Sequence, residues 1–482
     1  MTQATMAAEI PAGVRVVGYS IGDPVEAPIP EAPERRSGWW YFATWLMTPH
    51  IEFGAIYMGI VVVLFLHMSL LQALIGIFFG VAFGAVSHGL LTARGVRLKV
   101  PQLALGGLAF GRMGNLILTT IMAVISSFGW FIVNSVVAGL AINAIFTSIP
   151  LVGGIGIAVV VQLALAQIQV KYRAIQRYLF PVLAVILVVA GIMTFAKVDL
   201  AYDKGSPWNF NGIVAVVVVA CLAWAYTIGW NPYATDYAAR SKGSASPRTA
   251  GLCSALGLFC ATMFVMSIGV AAGIVIEGDP SLLANDNPTA QFTGYLPSGF
   301  GVVVLIVILI GSWTNNAITL KSSRHVFRSG KDDAGQKVLD QVAPLLMTVV
   351  GFLLGWAATQ DLPANYQGFV MVLGVWIAPW LNVSLVDYLL RRKDDDPTPY
   401  LYAKTKTNKW GVISVVFAIA ASVLIYGIQI IDGGKLGGAD SHRVSYAALG
   451  MLAGFYLSAV IYSMGMKKIF KDDKTSAAAK VA

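Results

Sequence analysis

The stretch "TIGWNPYATDYAAR", Thr227–Arg240, directly follows an apolar run that extends from Ile213 to Tyr226. An apolar run of this kind belongs to a membrane-spanning helix, yet a proline and an asparagine interrupt it where the helix should continue. Pro232 removes one backbone hydrogen-bond donor and clashes with the carbonyl one turn earlier. Because hydrocarbon offers the freed backbone groups no partner, such a break is tolerated only where protein buries it or where it lines a polar cavity.

The composition of the whole chain is typical of a protein that crosses a membrane many times. Of its 482 residues, 57% are hydrophobic and 12% are charged, whereas soluble domains carry about 25% charged residues. Apolar runs of about 20 residues, the length that crosses a bilayer as a helix, recur along the chain. They predict an all-α integral membrane protein with twelve transmembrane spans. The predicted spans cover residues 39–66, 69–92, 114–140, 150–170, 178–196, 212–239, 248–276, 297–320, 338–358, 365–390, 409–430 and 443–466.

The charges of the loops alternate along the chain and predict the topology. Each loop that follows an even-numbered span carries several lysine or arginine residues, and so does the segment after the last span. The loop at residues 276–288 carries three acidic residues and no basic one. By the positive-inside rule we expect a protein of the cytoplasmic membrane with both termini in the cytoplasm. The same distribution attributes the net charge of +9 to topology, so we expect lipid and no nucleic acid as a partner.

The chain carries few residues suited to covalent or metal chemistry. Its three cysteines, Cys221, Cys253 and Cys260, all lie inside apolar runs, so their spacing predicts neither a disulfide framework nor a metal site. The spans contain no pattern that pairs a nucleophile with a base. We therefore expect neither an enzyme nor a protein with a bound cofactor.

A second interrupted span resembles the one around Pro232. The stretch "WLMTPHIEFG", Trp45–Gly54, places Pro49 beside polar residues inside the first apolar run. Spans 1 and 6 each begin a block of five, and because five is odd the two blocks insert with opposite orientations. Interrupted segments at matching positions of two inverted halves indicate a transporter whose substrate site lies near mid-membrane. Two ordinary proline kinks are the alternative.

The third span contains polar and aromatic residues suited to a flat solute. Trp130 and Asn134 are four residues apart and share one helix face, and Ser126 and Ser127 lie one turn earlier on roughly the same side. An indole ring stacks on a heteroaromatic solute, and an amide forms hydrogen bonds with its edge. The alternative is structural: a tryptophan packed between helices and an asparagine that bonds two helices together.

The eighth span, "IGSWTNNAITLKSS", places hydroxyl and amide groups inside an apolar run. Its polar residues are Ser312, Thr314, Asn315 and Asn316. Oxygen atoms of these groups, close to the break in span 1, are suited to a small cation, and the asparagines are equally suited to the edge of a substrate. Hydrogen bonding between helices is the alternative.

Glu52 is the acidic residue that lies well inside the first span. Ionisable groups inside a membrane are costly and are functional candidates by default. A buried glutamate is suited to carry a coupling proton. The alternative is a structural pair with a basic residue elsewhere in the protein.

Several of these stretches together resemble one known family. The segment Gly229–Arg240 is similar to the sixth-span signature of the nucleobase–cation symporters, in their purine/cytosine permease branch. "IAPWLNVSLVDYLLRR", Ile377–Arg392, resembles the end of that branch's tenth span. "LAFGRMGN", Leu108–Asn115, resembles its approach to the third span, where the Trp130 and Asn134 pair is also similar. The resemblance covers residues 36–468, nearly the whole chain.

The resemblance implies the leucine-transporter-like fold, with two inverted five-helix repeats, broken helices 1 and 6, and two additional helices. It divides the chain into five parts. These are an N-terminal cytoplasmic tail (1–37), the first repeat (38–200), the second repeat (201–393), spans 11 and 12 (394–468) and a C-terminal cytoplasmic tail (469–482).

The resemblance also assigns substrate contacts. Trp130 corresponds to the family's stacking tryptophan, and Asn134 to a polar position one turn later. Ser127 is added to these contacts because it lies about one turn before Trp130 on roughly the same side of the span. The sixth-span partner of the ring is Trp230 or, as alternatives, Trp224 or Thr227. An eighth-span asparagine that contacts the base corresponds to Asn316.

The sequence does not decide whether the coupling cation is sodium or a proton. By resemblance, a sodium site takes carbonyl oxygens from Pro49 and Phe53 and a hydroxyl from Thr314. Asn315 lies where sodium-coupled relatives often carry a second hydroxyl, and Glu52 is not expected in those relatives. Both departures favour a proton slightly.

These observations predict a secondary active symporter that imports cytosine, a purine or a related flat heterocycle by alternating access. The rival is a cation-coupled transporter of the same fold for an amino acid, a vitamin or a quaternary amine. An amino-acid carrier presents free helix amides to a carboxylate at the first break, and the carboxylate of Glu52 would repel such a substrate. The sequence leaves the oligomeric state and the identity of the solute open.

Overall fold

The computed structural model describes residues 51–98, 102–167, 179–203, 205, 207–238, 246–326, 333–391, 407–432 and 442–481. Pro49 and the rest of the first half of span 1 lie outside these residues. The long helices of the described residues are α1 (Phe53–Leu64), α2 (Leu70–Leu98), α3 (Gln102–Ile145), α4 (Leu151–Gln167), α5 (Phe180–Phe195), α6 (Phe210–Ile228), α7 (Pro247–Glu277), α8 (Ser298–Val326), α9 (Asp333–Ala358), α10 (Leu362–Arg391), α11 (Lys409–Asp432) and α12 (His442–Val481).

Each predicted span corresponds to one of these helices. Among the described residues, eight stretches are long and apolar enough to cross a membrane. One of them, Val342–Leu390, combines the second part of α9 with nearly all of α10, and a 3-10 turn at Thr359–Asp361 separates the two helices. Helices α1, α4 and α5 are apolar but shorter. The all-helical fold that the hydropathy predicted is therefore the fold observed.

Two helices extend beyond the apolar stretches Met113–Ile145 and Val444–Lys467, which correspond to predicted spans 3 and 12. Helix α3 begins at Gln102, twelve residues before the predicted start at residue 114, and Gly111 bends it with a φ of 68°. A Cβ atom on Gly111 would lie 2.5 Å from the backbone nitrogen of Asn408, so glycine is required both for the bend and for this contact. At the other end of the chain, α12 continues to Val481, through the region predicted as a tail.

Close glycine contacts hold α1, α2, α6 and α7 together as a bundle. A Cβ atom on Gly59 of α1 would lie 2.3 Å from the carbonyl oxygen of Met266 on α7. A Cβ atom on Gly80 of α2 would lie 2.1 Å from the carbonyl oxygen of Ala220 on α6. Because no side chain separates the backbones at these points, the four helices pack as closely as membrane helices do.

The packing of the helices repeats with a shift of five along the chain. Helix α1 packs on α7 as α6 packs on α2, α3 packs on α9 as α8 packs on α4, and α3 packs on α10 as α8 packs on α5. Helices α11 and α12 pack on each other and on α10. This recurrence is the signature of two five-helix repeats with two additional helices, and it places the start of α1 beside the end of α6.

Candidate functional site

The sixth span breaks where the sequence predicted. Helix α6 ends at Ile228, and the Gly229 N–H turns back to donate to the carbonyl oxygen of Tyr226 at 3.2 Å. A single 3-10 turn, Asn231–Tyr233, contains Pro232, and helix resumes at Ala234–Ala238. The backbone around Gly229 is therefore free of the regular hydrogen bonds of a continuous helix.

The first span is also non-helical immediately before α1. Glu52 has extended backbone angles, with φ −142° and ψ 163°, and the helix begins at Phe53. Its side chain does not cap the helix. It is consequently available to interact with other helices.

The Glu52 carboxylate joins three helices. Its Oε1 accepts a hydrogen bond from the Tyr226 hydroxyl of α6 at 2.8 Å, and its Oε2 accepts one from the Asn315 amide of α8 at 3.0 Å. Nearby, the hydroxyl of Tyr366 on α10 donates to the carbonyl oxygen of Gly54 at 2.8 Å. The start of α1 is thus bonded to α6, α8 and α10 within three residues.

Trp130 lies at the centre of an aromatic cluster beside the α6 break. Its ring makes T-shaped contacts with Tyr226, at 5.2 Å between centroids, and with Phe369 of α10, at 5.4 Å. A Cβ atom on Gly229 would lie 3.5 Å from the indole nitrogen, so the broken backbone of α6 forms one wall beside the ring. The indole N–H is buried without a hydrogen-bond partner among the described residues. It is therefore a donor free to bond a ligand.

Two predicted residues of α3 lie close to Trp130 along the helix. Asn134 and Ser127 are 5% and 9% exposed. Within the described ranges, neither side chain makes a hydrogen bond to another protein group. Buried polar groups are normally satisfied, so these two side chains retain donors and acceptors for a ligand or water.

A cavity of about 260 Å³ reaches the aromatic cluster from one side. Its walls come from α1, the second half of α3, the end of α9 and the start of α10, with Pro288, the first residue of a short helix (Pro288–Gly294) between α7 and α8. Phe369 belongs to both the cavity wall and the cluster around Trp130, and Gly54 and Gly129 of the wall lie against Tyr226 and Phe369 of the cluster. A Cβ atom on Gly129 would lie 1.8 Å from the Phe369 ring, so this glycine provides the space that the ring occupies.

The predicted sixth-span partners, Thr227, Trp224 and Trp230, make contacts with other protein groups in this structure, and their contact with a substrate stays a prediction. Thr227 is fully buried against Gly84 of α2, and its hydroxyl donates to the carbonyl oxygen of Ala223 at 2.6 Å. Trp224 packs against Phe83 and Phe455.

The Trp230 ring packs on Tyr233, at 5.9 Å between centroids. The α6 ring that contacts Trp130 is Tyr226, which the sequence reasoning missed. Its position as the last aromatic residue before the break was the available signal.

The side chain of Asn316 forms hydrogen bonds between helices. It is fully buried, and its amide nitrogen donates to the Phe131 carbonyl at 2.7 Å, the Ser135 hydroxyl at 3.0 Å and the Gln162 side chain at 3.1 Å. These bonds hold α3 and α4 to α8. They correspond to the structural alternative for span 8, and the proposed contact of Asn316 with a substrate stays a prediction.

The predicted sodium ligands are only partly described. The Thr314 hydroxyl donates to the carbonyl oxygens of Ile310 at 2.8 Å and Gly311 at 3.0 Å. The Phe53 ring packs on Tyr57 and Phe292. Pro49 lies outside the described residues. The fourth predicted ligand, Asn315, donates a hydrogen bond from its amide to Glu52. The sodium site therefore stays a prediction.

Broken spans in an inverted five-helix repeat, with a buried aromatic cluster between them, define a membrane transporter of the leucine-transporter-like fold. A family model described as "Permease for cytosine/purines, uracil, thiamine, allantoin" matches residues 28–457. The chain belongs to this permease family, and it is a transporter rather than an enzyme.

Known relatives are distant in sequence and similar in fold. The chain is 19% identical over 286 residues to the purine-cytosine permease fcyB of Emericella nidulans. This alignment covers 57% of the chain and 55% of the relative, so it spans about half of that protein.

Solved structures resemble the chain over most of its length. Mhp1, a nucleobase-cation-symport-1 family transporter with bromovinylhydantoin bound, superposes with a TM-score of 0.66 at 16% identity, covering 94% of this chain and 96% of that one. A Na⁺-coupled sialic acid symporter superposes with a TM-score of 0.59 at 13% identity, covering 89% and 90%. At these identities the likeness shows the fold.

Proposed function

We propose that this permease imports a nucleobase, cytosine or a purine, or a related flat heterocycle, together with a cation. The observation that carries the proposal is Trp130, whose ring lies beside the α6 break and whose buried indole N–H has no hydrogen-bond partner among the described residues. A flat ring bound here stacks on the indole face of Trp130, and its edge forms hydrogen bonds with Asn134 and Ser127, whereas the indole N–H, which lies in the plane of its own ring, can bond a group beside that ring. Family membership supports the same class of substrate.

We assign the substrate contacts to Trp130, Asn134 and Ser127, and we add Tyr226 and Phe369. The last two contribute the rings that enclose Trp130. Displacement of Phe369 with the start of α10 would open the cluster to the cavity, which by the predicted topology faces the outside. Substrate would enter by this path.

We propose a proton as the coupling ion, with Glu52 as its carrier. Ionised, the carboxylate accepts two charge-assisted hydrogen bonds, from α6 and from α8. Protonation removes the charge and weakens both bonds, which changes how the bundle is held to α8. If the protonated form favours the state that binds substrate, then substrate binding favours protonation to the same extent.

Sodium is the alternative ion. It would need oxygen atoms at the start of α1 and in α8, where the Thr314 hydroxyl lies, with Pro49, Phe53 and Asn315 as the other predicted ligands. The hydrogen bond from Asn315 to Glu52 supports the proton instead, because it joins α1 and α8 directly, the role that a bound cation would otherwise have.

The predicted cellular setting completes the proposal. The protein would lie in the cytoplasmic membrane with both termini in the cytoplasm. Its repeats, residues 38–200 and 201–393, would provide alternating access by movement of the bundle α1, α2, α6 and α7 against the remaining helices.

Uptake of radiolabelled cytosine in cells that express the protein tests the function. Unlabelled adenine, hypoxanthine, uracil, thiamine and leucine compete, at acidic and neutral pH, with and without sodium. We expect saturable uptake that other bases inhibit and leucine does not, and that increases at acidic external pH without sodium. Competition by leucine alone would favour the amino-acid rival, and a strict requirement for sodium would overturn the proton proposal.

A further inference from the structure

Helix α2 packs against the sixth span on both sides of its break. Before the break, a Cβ atom on Gly84 would lie 2.6 Å from the Thr227 side chain. After it, a Cβ atom on Gly95 would lie 2.5 Å from the Cβ of Thr235. The two parts of the sixth span are therefore aligned along one continuous helix.

Between these contacts, two consecutive residues of α2 bind a single side chain of the break. Asn231 is fully buried, and its Nδ2 donates to the Ser87 hydroxyl at 2.7 Å. Its Oδ1 lies 2.9 Å from Nδ1 of His88, which is 1% exposed. The Ser87 hydroxyl in turn donates to the Gly84 carbonyl oxygen at 2.7 Å.

The Gly84 carbonyl, the acceptor at the end of this network, determines the direction of every hydrogen bond in it. The Gly84 carbonyl can only accept, so Ser87 donates to it and must accept from the Asn231 amide nitrogen. The amide oxygen of Asn231 then faces His88, and Nδ1 of His88 must carry a hydrogen. His88 therefore presents a fixed N–H donor to the break.

The other ring nitrogen shows why histidine matters at this position. Among the described residues, Nε2 of His88 is buried without a hydrogen-bond partner. A buried polar atom without a partner destabilises the protein, and an apolar residue of similar size would avoid that cost. The donor at Nδ1 is the compensating gain, so the bond to Asn231 is the property for which a histidine is suited.

We propose that His88 is a positioning residue for the substrate site. It acts through Asn231 by fixing the backbone of the α6 break, and Gly229 of that backbone forms the wall beside Trp130. Few backbone bonds hold the break in place, so its position relative to the Trp130 ring depends on this side-chain network. The inference rests on the proposed substrate site at Trp130. The hydrogen bond between His88 and Asn231 is observed independently of that site.

Two substitutions at one position separate the donor from the ring. His88→Asn keeps an N–H close to the Nδ1 position, whereas His88→Leu fills similar space without a donor. In His88→Leu the buried side-chain carbonyl of Asn231 loses its hydrogen bond. We therefore expect this variant to raise KM for uptake about tenfold, with the maximal rate changed less than about twofold. His88→Asn should restore KM to within about twofold of the unmodified protein.

A double substitution tests whether His88 acts through Asn231. If it does, His88→Leu in an Asn231→Ala background should add nothing further to KM, because the shared interaction is already absent. Effects that multiply in the double variant would overturn the proposal. Thr92→Val is the matched control, since it removes a buried bond from α2 to Ser254 of α7, 2.9 Å long, one turn beyond His88. An equal rise in KM for this control would also overturn the proposal.

Hydrogen–deuterium exchange tests the same inference without any substrate. In lipid nanodiscs, we expect faster exchange at residues 229–233 in His88→Leu and unchanged exchange there in His88→Asn and Thr92→Val. Unchanged exchange in His88→Leu would overturn the proposal. If the unmodified protein transports no base but exchange responds as expected, the proposed cargo is wrong and the role of His88 at the break stands.

Discussion

The two breaks at the centre of the protein are held in different ways. At the first, Glu52 is bonded to α6 and α8, and Gly54 is bonded to Tyr366 of α10. At the second, Asn231 is bonded to His88 and Ser87, both of α2. The first break is thus tied to α6 of the bundle α1, α2, α6 and α7 and also to α8 and α10 outside it, whereas these bonds of the second break lie within the bundle.

The difference indicates which break can respond to a coupling ion. The bonds at the first break include a carboxylate, whose strength as an acceptor depends on its charge. The bonds at the second break join an amide, an imidazole and a hydroxyl, and within the described residues they include no acidic group. We therefore expect the first break to change its contacts during transport and the second to keep its shape. Four substitutions test this contrast.

Trp130→Ala should have the largest effect, because the ring contacts both regions. It packs on Tyr226, the partner of Glu52, and it lies beside Gly229 of the second break. Stacking of a base on an aromatic ring contributes about 1–3 kcal/mol, so we expect uptake to fall by on the order of 100-fold while the protein still reaches the membrane. Trp356→Ala, at a half-exposed position on α9, is the control. Normal uptake by Trp130→Ala would remove the stacking site.

Glu52→Gln should break the coupling at the first break and leave the second break intact. The amide keeps the shape of the carboxylate but cannot take up or release a proton near neutral pH. We expect accumulation driven by an imposed proton gradient to fall about 30-fold, within the range of typical coupling energies, while exchange of substrate across vesicles continues. Asp286→Asn, an exposed acid of the loop after α7, is the control. Equal loss of exchange and accumulation would contradict a role in coupling.

Tyr366→Phe should loosen only the bond between α10 and the first break. The hydroxyl that donates to the Gly54 carbonyl is lost, and a buried hydrogen bond contributes about 1 kcal/mol. We expect a cysteine placed at Val133 in the cavity to react about fivefold faster with an external thiol reagent in this variant. The background lacks the three native cysteines, and Tyr456→Phe, at an exposed position on α12, serves as control. An unchanged rate would show that Tyr366 does not hold α10 closed.

Thr227→Val should have the smallest effect. Its hydroxyl bonds its own helix and its side chain packs on Gly84, so the substitution leaves the Trp130 cluster unchanged. We expect KM for uptake to change less than about twofold, because valine has nearly the shape of threonine and the lost hydroxyl bonds only a carbonyl of its own helix. Tyr226→Phe is the informative companion, because it keeps the ring beside Trp130 and removes the bond to Glu52. A larger effect in Thr227→Val than in Tyr226→Phe would reverse the assignment of the α6 contact.

The sequence predicted the breaks and singled out Trp130, but it missed the side chains that contact them. Pro232, Glu52 and Trp130 stand out because a proline, a charge or an indole is unusual within an apolar run. Tyr226, Tyr366 and Phe369 do not stand out, since aromatic residues are common in such runs. Nor does His88 stand out, since it lies near the predicted end of span 2, although it is 1% exposed and bonded to the second break.

The number of spans, their alternating orientation and the places where two of them break follow from the sequence itself. Each is set locally, by the cost of placing a charge or an unbonded backbone group in hydrocarbon. The partners of Glu52 and His88 were decided by tertiary structure. Glu52 meets a residue 174 positions away and His88 one 143 positions away. Which faces meet depends on the rotation and spacing of packed helices, and those are set by glycine contacts between backbones that no single span encodes.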